Sequence, residues 1–452
     1  MAQVTYREEV LRVEPKGVEV IQSQERHGSP RSLVTLWWAA NVEFATLTTG
    51  AVVVTVFGAG FWQAAVAIVL GTVLGALALA ALSTLGPRWG LPQLIQSRRA
   101  FGFFGNFAPG ILNLIAGMMW FAVNTVLGVY ALEWLLKIGF LPALLLMAAV
   151  QVIVAVLGHN MIHAVERPLA YVLTAIFLIV SVYAVGHVRW GVGYNPHAPA
   201  ASGWSGTFIL AVGVAVSYMI GWVAYASDYT RYLPQGTSPR RIFRNVLVAN
   251  VAACVWLELL GVALVTARPA GIYVPTDLVT GLLPSWIGTL AMLGVVVGTV
   301  TANVLNIYSG ALSALVVGIP VRRWTSALLV GAVGAVFAYV GGRSGYYNNY
   351  ANFLFVLAYW VAPWAAVVLV DLWRERAGDV IDAFYDRGQK AGLGLWAWLA
   401  GLACAWPFFN QSLYQGPIAR LDPGLGDLSY YVSFAVAAVV YVALLRGRRG
   451  AA

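Results

Sequence analysis

The amino-acid sequence predicts an all-α polytopic membrane protein of twelve transmembrane helices with both termini cytoplasmic. Three observations carry that expectation. Only 10% of the 452 residues are charged and 60% are hydrophobic, whereas a soluble globule needs about 25% charged residues to cover its surface. Continuous apolar runs of roughly 20 residues, the length that spans a bilayer, recur along almost the whole chain. An outer-membrane barrel would show alternating segments of about ten residues instead. With the spans alternating, 22 of the 27 Lys and Arg residues fall on the side of the N-terminus, and basic segments mark the cytoplasmic side. The net charge of +9 is thereby accounted for by the membrane. The basic stripes carry no interleaved aromatics of an RNA-binding kind, so no nucleic-acid partner is expected.

Residues 1–30 are polar, lack the apolar h-region of a signal peptide and read as a largely unfolded cytoplasmic tail. The spans follow at 33–57, 61–85, 108–136, 140–158, 169–189, 205–226, 246–267, 284–312, 325–341, 351–371, 393–412 and 429–445. The charged stretch 372–392, "LWRERAGDVIDAFYDRGQKAG", reads as a cytoplasmic connector, a short amphipathic helix being one form open to it. It divides a ten-helix core at 31–371 from an accessory pair of spans at 393–446, and 447–452 form the C-terminal tail. Cys254 and Cys404 fall inside spans without metal-ligand spacing and read as small apolar side chains.

Two spans are unusual inside. The first, "LVTLWWAANVEFATLTTGAVVV", places Asn41, Glu43 and four Thr at bilayer depth. The sixth, "GTFILAVGVAVSYMIGWVAYAS", contains Gly213 and Gly221 and turns polar at its end. Both are expected to be discontinuous, and they stand at matching positions of two five-helix halves. Transporters built on inverted repeats place a site near the midplane between such paired, interrupted helices. The third and eighth spans would then complete the pocket.

In the third span Trp120 and Asn124 are spaced i, i+4 and share a face. An indole can stack on a flat heterocycle while an amide one turn away reads its edge; the alternative is an Asn that bonds two helices together. The eighth span, "VGTVTANVLNIYSGALS", holds Asn303 and Asn306 with Thr299, Thr301 and Ser309. Two amides in one span must face the interior or an aqueous cavity, as ligand contacts or as interhelical bonds. Glu43, Glu133 and Glu258 are membrane acids, each costing about 2.5–3.5 kcal/mol or more if ionised at the bilayer centre. Glu43 is the leading functional candidate because it follows Asn41 at the suspected break. Glu133 lies one turn from an outer end and can reach water. Glu258 fits a structural hydrogen bond or a proton relay equally. No P-loop, HExxH, GxSxG or kinase signature is present, so an ATP-driven pump or a membrane enzyme has nothing to run on. His159 and His163, beside Glu166 and Arg167, read as a solvated turn rather than a metal site, and no metal or other cofactor is expected.

The segments "LWWAAN", "GLPQLIQSRRAFGFFGN", "WFAVN", "GWVAYASDYTRYLP" and "NVLNIYS", in that order along the chain, resemble the nucleobase:cation symporter-1 family in its purine/cytosine permease branch. The resemblance implies a LeuT-like fold, with ten core helices in two inverted five-helix repeats followed by two more. It implies Trp120 as the stacking aromatic, Asn124 as the reader one turn on, and Trp222 lining the site. Asn306 would hold the nucleobase edge with Asn303 as its polar neighbour, and Ala39 and Ala40 would fall at the break of the first helix, their backbone exposed. Asp228 and Arg231 would pair or cap the end of the sixth helix and fix an inner gate, with Pro234 stopping the helix. Two departures stand out. Gly117 occupies the place of a Gln in bacterial cytosine permeases, and Thr299 and Thr301 fit only loosely the hydroxyl pattern of sodium-coupled relatives. The two departures weigh against cytosine and against sodium and shift the expectation toward a proton-coupled carrier of purines or related bases. The function expected is import of a nucleobase, purine and/or cytosine, by proton symport with alternating access in the cell membrane. Glu43, with Glu258 and Asp228, is the candidate for proton coupling. Na⁺ coupling with another planar heterocycle (allantoin, hydantoin, uracil or a thiamine-like ring) is the alternative on the same fold. A membrane receptor or channel is the alternative of a different class.

Overall fold

The computed structural model describes Leu11 and residues 13–268, 274–342, 345–372 and 381–450. The start of the expected tail, positions 373–380 of the expected connector and the last two residues lie outside the described residues. Apart from a hairpin pairing Asn410–Gln411 with Tyr414–Gln415, the regular structure among the described residues is helical. Among the described residues ten helices are long and apolar enough to cross a membrane, and two apolar helices are shorter.

The first predicted span is two helices, α1 (Ser32–Asn41) and α2 (Phe44–Thr55). The break falls at Val42 and Glu43, not at Ala39 and Ala40, which are helical and fully buried. Its place is decided by chemistry. Glu43 is extended (φ −146°, ψ 174°), and its carboxylate accepts from the N–H groups of Ala45 (2.7 Å) and Thr46 (3.2 Å), capping α2. Thr46 Oγ1 donates to the Asn41 carbonyl at 2.6 Å. Side chains thus satisfy backbone groups that lipid could not.

Next come α3 (Phe61–Ser83), three short helical turns between Gly86 and Phe101, α4 (Phe107–Leu136), α5 (Phe140–Leu157) and α6 (His159–Val185). The sixth predicted span divides into α7 (Gly203–Ile220), a 3₁₀ turn (Val223–Tyr225) and α8 (Ala226–Thr230). The interruption lies at Gly221, whereas Gly213 is helical and takes the Tyr430 side chain against its bare Cα. Then follow α9 (Pro239–Ala267), α10 (Ser285–Val316), α11 (Arg323–Gly341), α12 (Tyr346–Leu372), α13 (Leu393–Ala405) and α14 (Ser429–Gly450).

α10 packs along α4, and α3 packs along both α7 and α9. α13 and α14 pack on one another and on α12. Small residues let backbones meet, as they do between helices in lipid. A Cβ on Gly50 of α2 would lie 1.8 Å from the Glu258 carbonyl oxygen of α9, and one on Gly261 of α9 would lie 1.9 Å from that of Leu47.

Two expectations for the basic face are corrected. Residues 13–30 form an ordered strap, not an unfolded tail. Ile21 is fully buried and its N–H donates to Gly90 O at 2.9 Å, while Arg26 donates to the carbonyls of Ile21 (3.0 Å) and Pro87 (2.5 Å). α6 begins ten residues earlier than predicted. His159 is buried, stacked on Tyr232 with ring centroids 3.9 Å apart, and Glu166 is fully buried, so this turn is no solvated face. The strap covers it: Glu14 Oε2 accepts from the His159 N–H at 2.9 Å. The described part of the connector carries only a 3₁₀ turn, Ile381–Phe384.

Candidate functional site

The two interrupted helices are joined through side chains at their breaks. The Trp222 indole N–H donates to Asn41 Oδ1 at 3.1 Å, and Asn41 Nδ2 donates to Trp37 O (2.7 Å) and to Asn250 Oδ1 of α9 (2.9 Å). The Trp37 ring meets that of Trp222 edge to face at 5.7 Å. On the α2 side, Tyr218 of α7 donates to Glu43 Oε1 (3.2 Å), and its hydroxyl oxygen lies 2.6 Å from that of Thr46.

Gly221 explains how α4 reaches this place. A Cβ there would lie 3.1 Å from the Trp120 indole nitrogen and 3.1 Å from Leu357 Cδ2. The bare backbone therefore lets Trp120 press against the turn where α7 ends. Its ring is held edge to face by Phe353 (5.0 Å), Tyr218 (5.6 Å) and Tyr350 (6.2 Å).

The amides form a second cluster beside the aromatics. Asn303 Oδ1 accepts from Asn124 Nδ2 and from Asn306 Nδ2, each at 3.3 Å. Asn303 Nδ2 lies 3.0 Å from Phe121 O, 3.0 Å from Thr125 Oγ1 and 3.1 Å from Gln151 Oε1. Asn303 is therefore committed within the protein at both ends of its amide. Asn124 Oδ1, Asn306 Oδ1 and the Tyr225 hydroxyl are buried without a hydrogen-bond partner among the described residues. Buried polar atoms are nearly always paired, so these three stand out among the described residues. Gly117 belongs to the same contact: a Cβ there would sit 3.2 Å from Gly310 Cα, 3.3 Å from Asn306 O and 3.4 Å from the Tyr225 hydroxyl. A Gln at this position would have to displace α10.

Other candidates lie apart. Ala39 O accepts from Thr301 Oγ1 at 3.0 Å, which ties α1 to α10, while Ala40 is buried within α1. Glu258 accepts from Thr72 Oγ1 of α3 at 3.1 Å, and its Oε1 is buried and unpartnered. Glu133 is half-buried one turn before the end of α4. Asp228 and Arg231 do not form the expected pair. Asp228 accepts from the Gln93 N–H at 2.9 Å, which caps one of the short helical turns. Arg231 lies 3.7 Å from Glu14 of the strap and donates to Gly17 O (2.8 Å) and the Tyr308 hydroxyl (3.0 Å). Full burial works against its charge, yet Tyr232, Tyr308 and Glu14 together hold the guanidinium pKa above the ordinary arginine value. Glu14 also approaches Arg323 of α11 (3.9 Å) and accepts from Tyr232.

Sequence reasoning missed Gln151, Asn250, Tyr218, Tyr225 and Glu14. For Gln151 and Asn250 a signal existed, since a lone amide inside an apolar run needs a partner. For Glu14 none did.

A helical membrane bundle with two facing interrupted helices around an aromatic and polar centre is the architecture of an inverted-repeat transporter. The family described as permeases for cytosine/purines, uracil, thiamine and allantoin matches residues 20–433. Relatives include a Bacillus subtilis (strain 168) protein described as "Putative purine-cytosine permease", 29% identical over 97% of each chain. A purine-cytosine permease of Emericella nidulans is 28% identical over 96% of this chain and 88% of its own. Among solved structures, Mhp1, a nucleobase-cation-symport-1 family transporter in a closed conformation with bromovinylhydantoin bound, superposes with a TM-score of 0.75 at 19% identity, covering 96% of this chain and 95% of that one. Its inward-facing conformation gives 0.74 at 18% identity, over 97% and 95%. The chain belongs to this nucleobase/cation symporter family. It is a multi-pass membrane permease with the fold of Mhp1, and not an enzyme.

Proposed function

We propose that this permease imports a nucleobase, purine and/or cytosine, by proton symport with alternating access across the cell membrane. In this reading twelve spans place both termini in the cytoplasm, 31–371 is the transport core and 393–446 the accessory pair. The observation that carries it is the approach of Trp120 to Gly221, the chain neighbour of Trp222, together with the amide oxygens of Asn124 and Asn306, which have no hydrogen-bond partner among the described residues. Aromatic faces grip a flat ring, and the orphaned atoms read its edge. The relatives described as purine-cytosine permeases agree with that chemistry.

Glu43 is the proton-coupling group of choice because it touches both interrupted helices, capping α2 and accepting from Tyr218 of α7. A proton on its carboxyl changes both contacts, and so biases how the two helices sit relative to one another. Asp228 and Glu258 are the reserve candidates. The inner gate is Arg231 with Glu14 across the basic face.

The test is uptake of radiolabelled adenine, hypoxanthine, cytosine, uracil and allantoin by cells carrying Trp120→Ala or Asn306→Ala. Loss of accumulation of one or more bases is expected; undiminished accumulation in both variants rejects the site. Substrate-dependent pH change in proteoliposomes, with and without sodium, decides the coupling ion.

A further inference from the structure

We infer that Asn303 and Gln151 set the hydrogen-bond polarity of the pocket, so that it selects an amino group and rejects an oxo group where Asn124 and Asn306 meet the base. The inference rests on the nucleobase reading above and goes beyond it in naming what fixes the specificity.

An amide presents either its oxygen or its nitrogen, and the neighbours decide which. Two backbone carbonyls, which can only accept, anchor the chain of decisions here. The Thr299 carbonyl receives Gln151 Nε2 at 3.4 Å. Gln151 Oε1 is thereby turned toward Thr125, whose hydroxyl donates to it at 2.9 Å, and toward Asn303. The Phe121 carbonyl receives Asn303 Nδ2 at 3.0 Å. With its nitrogen held by Phe121 O and Gln151 Oε1, Asn303 can offer only its oxygen to the opposite side. There it draws the nitrogens of Asn124 and Asn306 to a single atom, each at 3.3 Å. Both remaining amide oxygens are left buried and unpaired. Every step follows from a carbonyl that cannot reverse.

A guest therefore meets two acceptors. An exocyclic amino group has two hydrogens to share between them. A ring carbonyl in the same place would set its oxygen against these two acceptor oxygens, neither of which has a proton to give, an arrangement that buried polar sites disfavour. The unpartnered Tyr225 hydroxyl borders the same stretch of α10 and can donate to the ring nitrogen that adjoins such an amino group. Asn303 and Gln151 touch no base in this scheme; they are positioning residues that act through the other two amides.

Competition against whichever labelled base is accumulated tests this. Adenine should compete at least about 10-fold better than hypoxanthine or 6-methylpurine, an isostere without the N–H groups, and cytosine likewise better than uracil, because an unpaired buried acceptor carries a cost of that size. In Asn303→Ala the Asn124 and Asn306 amides are free to turn, so the amino-to-oxo ratio should collapse toward unity while uptake persists. Gln151→Leu, further from the base, should shift the ratio the same way by a smaller factor, and it carries the test if Asn303→Ala does not reach the membrane. Equal competition by adenine, hypoxanthine and 6-methylpurine in the unaltered protein overturns the inference. So does an unchanged ratio in the variants, with affinity for all bases lowered uniformly. If no nucleobase competes at all, the nucleobase reading itself fails.

Discussion

Asn41→Ala removes the side chain that joins the first helix break to the indole of Trp222. Two buried groups then lose a partner: the Trp222 N–H, now 3.1 Å from Asn41 Oδ1, and Asn250 Oδ1, now 2.9 Å from Asn41 Nδ2. A buried group left unpaired costs about 1–3 kcal/mol. If the share carried by the indole falls on base binding, half-saturation of uptake should rise about tenfold, the equivalent of about 1.4 kcal/mol. Trp222→Phe removes the same donor while keeping an aromatic face. In that background Asn41→Ala has one orphan fewer to create, so its added effect should shrink by about 1 kcal/mol or more. The assay is a double-mutant cycle on half-saturation for the accumulated base, with membrane expression measured alongside. If Asn41→Ala has the same fold effect in both backgrounds, to within about 0.5 kcal/mol, the hydrogen bond does not orient the indole.

Gly221→Ala should separate stability from binding. Gly221 has φ −54° and ψ −32°, which alanine adopts freely, so the substitution narrows the unfolded chain by about 0.4–1 kcal/mol, yet its Cβ would press on Trp120 at 3.1 Å; melting temperature should hold while affinity for the base falls, and unaltered affinity would refute the contact. Glu14→Ala strips the carboxylate from a fully buried Arg231. Because Glu14 is itself only part-buried and Arg231 keeps its bonds to Gly17 O and Tyr308, the loss should fall at or below the low end of the roughly 3–5 kcal/mol of a fully buried pair; thermal unfolding should come earlier, and cysteines placed on the basic face should label faster. Glu43→Gln keeps an oxygen for one N–H of α2 but cannot carry a proton. Base binding should survive while accumulation stops responding to an imposed proton gradient, and gradient-driven accumulation in this variant would remove Glu43 from the coupling.

The membrane class, the run of apolar helices and the interruption of the first and sixth spans could all be read from local pattern. Hydropathy is additive along the chain, and an acid and an Asn in an apolar run, or a Gly ahead of a polar end, betray a helix that cannot run straight through. The spacing of Trp120 with Asn124 was equally local. The position of the first break was not. It depends on the Glu43 carboxylate finding two N–H groups of the following turn, which shifts the break past Ala39 and Ala40.

Partnership between distant segments lay beyond any pattern. Arg231 looked made for Asp228 three residues away, but its carboxylate comes from Glu14, and Asp228 serves the Gln93 N–H instead. His159, beside Glu166, reads as part of a solvated turn, and its burial comes from Tyr232 and from Glu14 of the strap. The orientation of the amides is the extreme case. Composition shows that Asn124, Asn303 and Asn306 exist and share an interior, but which atom each presents follows from carbonyls of Phe121 and Thr299 on two different helices. Hydrophobicity is a property of residues and survives being read one at a time. Hydrogen-bond direction is a property of neighbours, and those are chosen only when the helices close on one another.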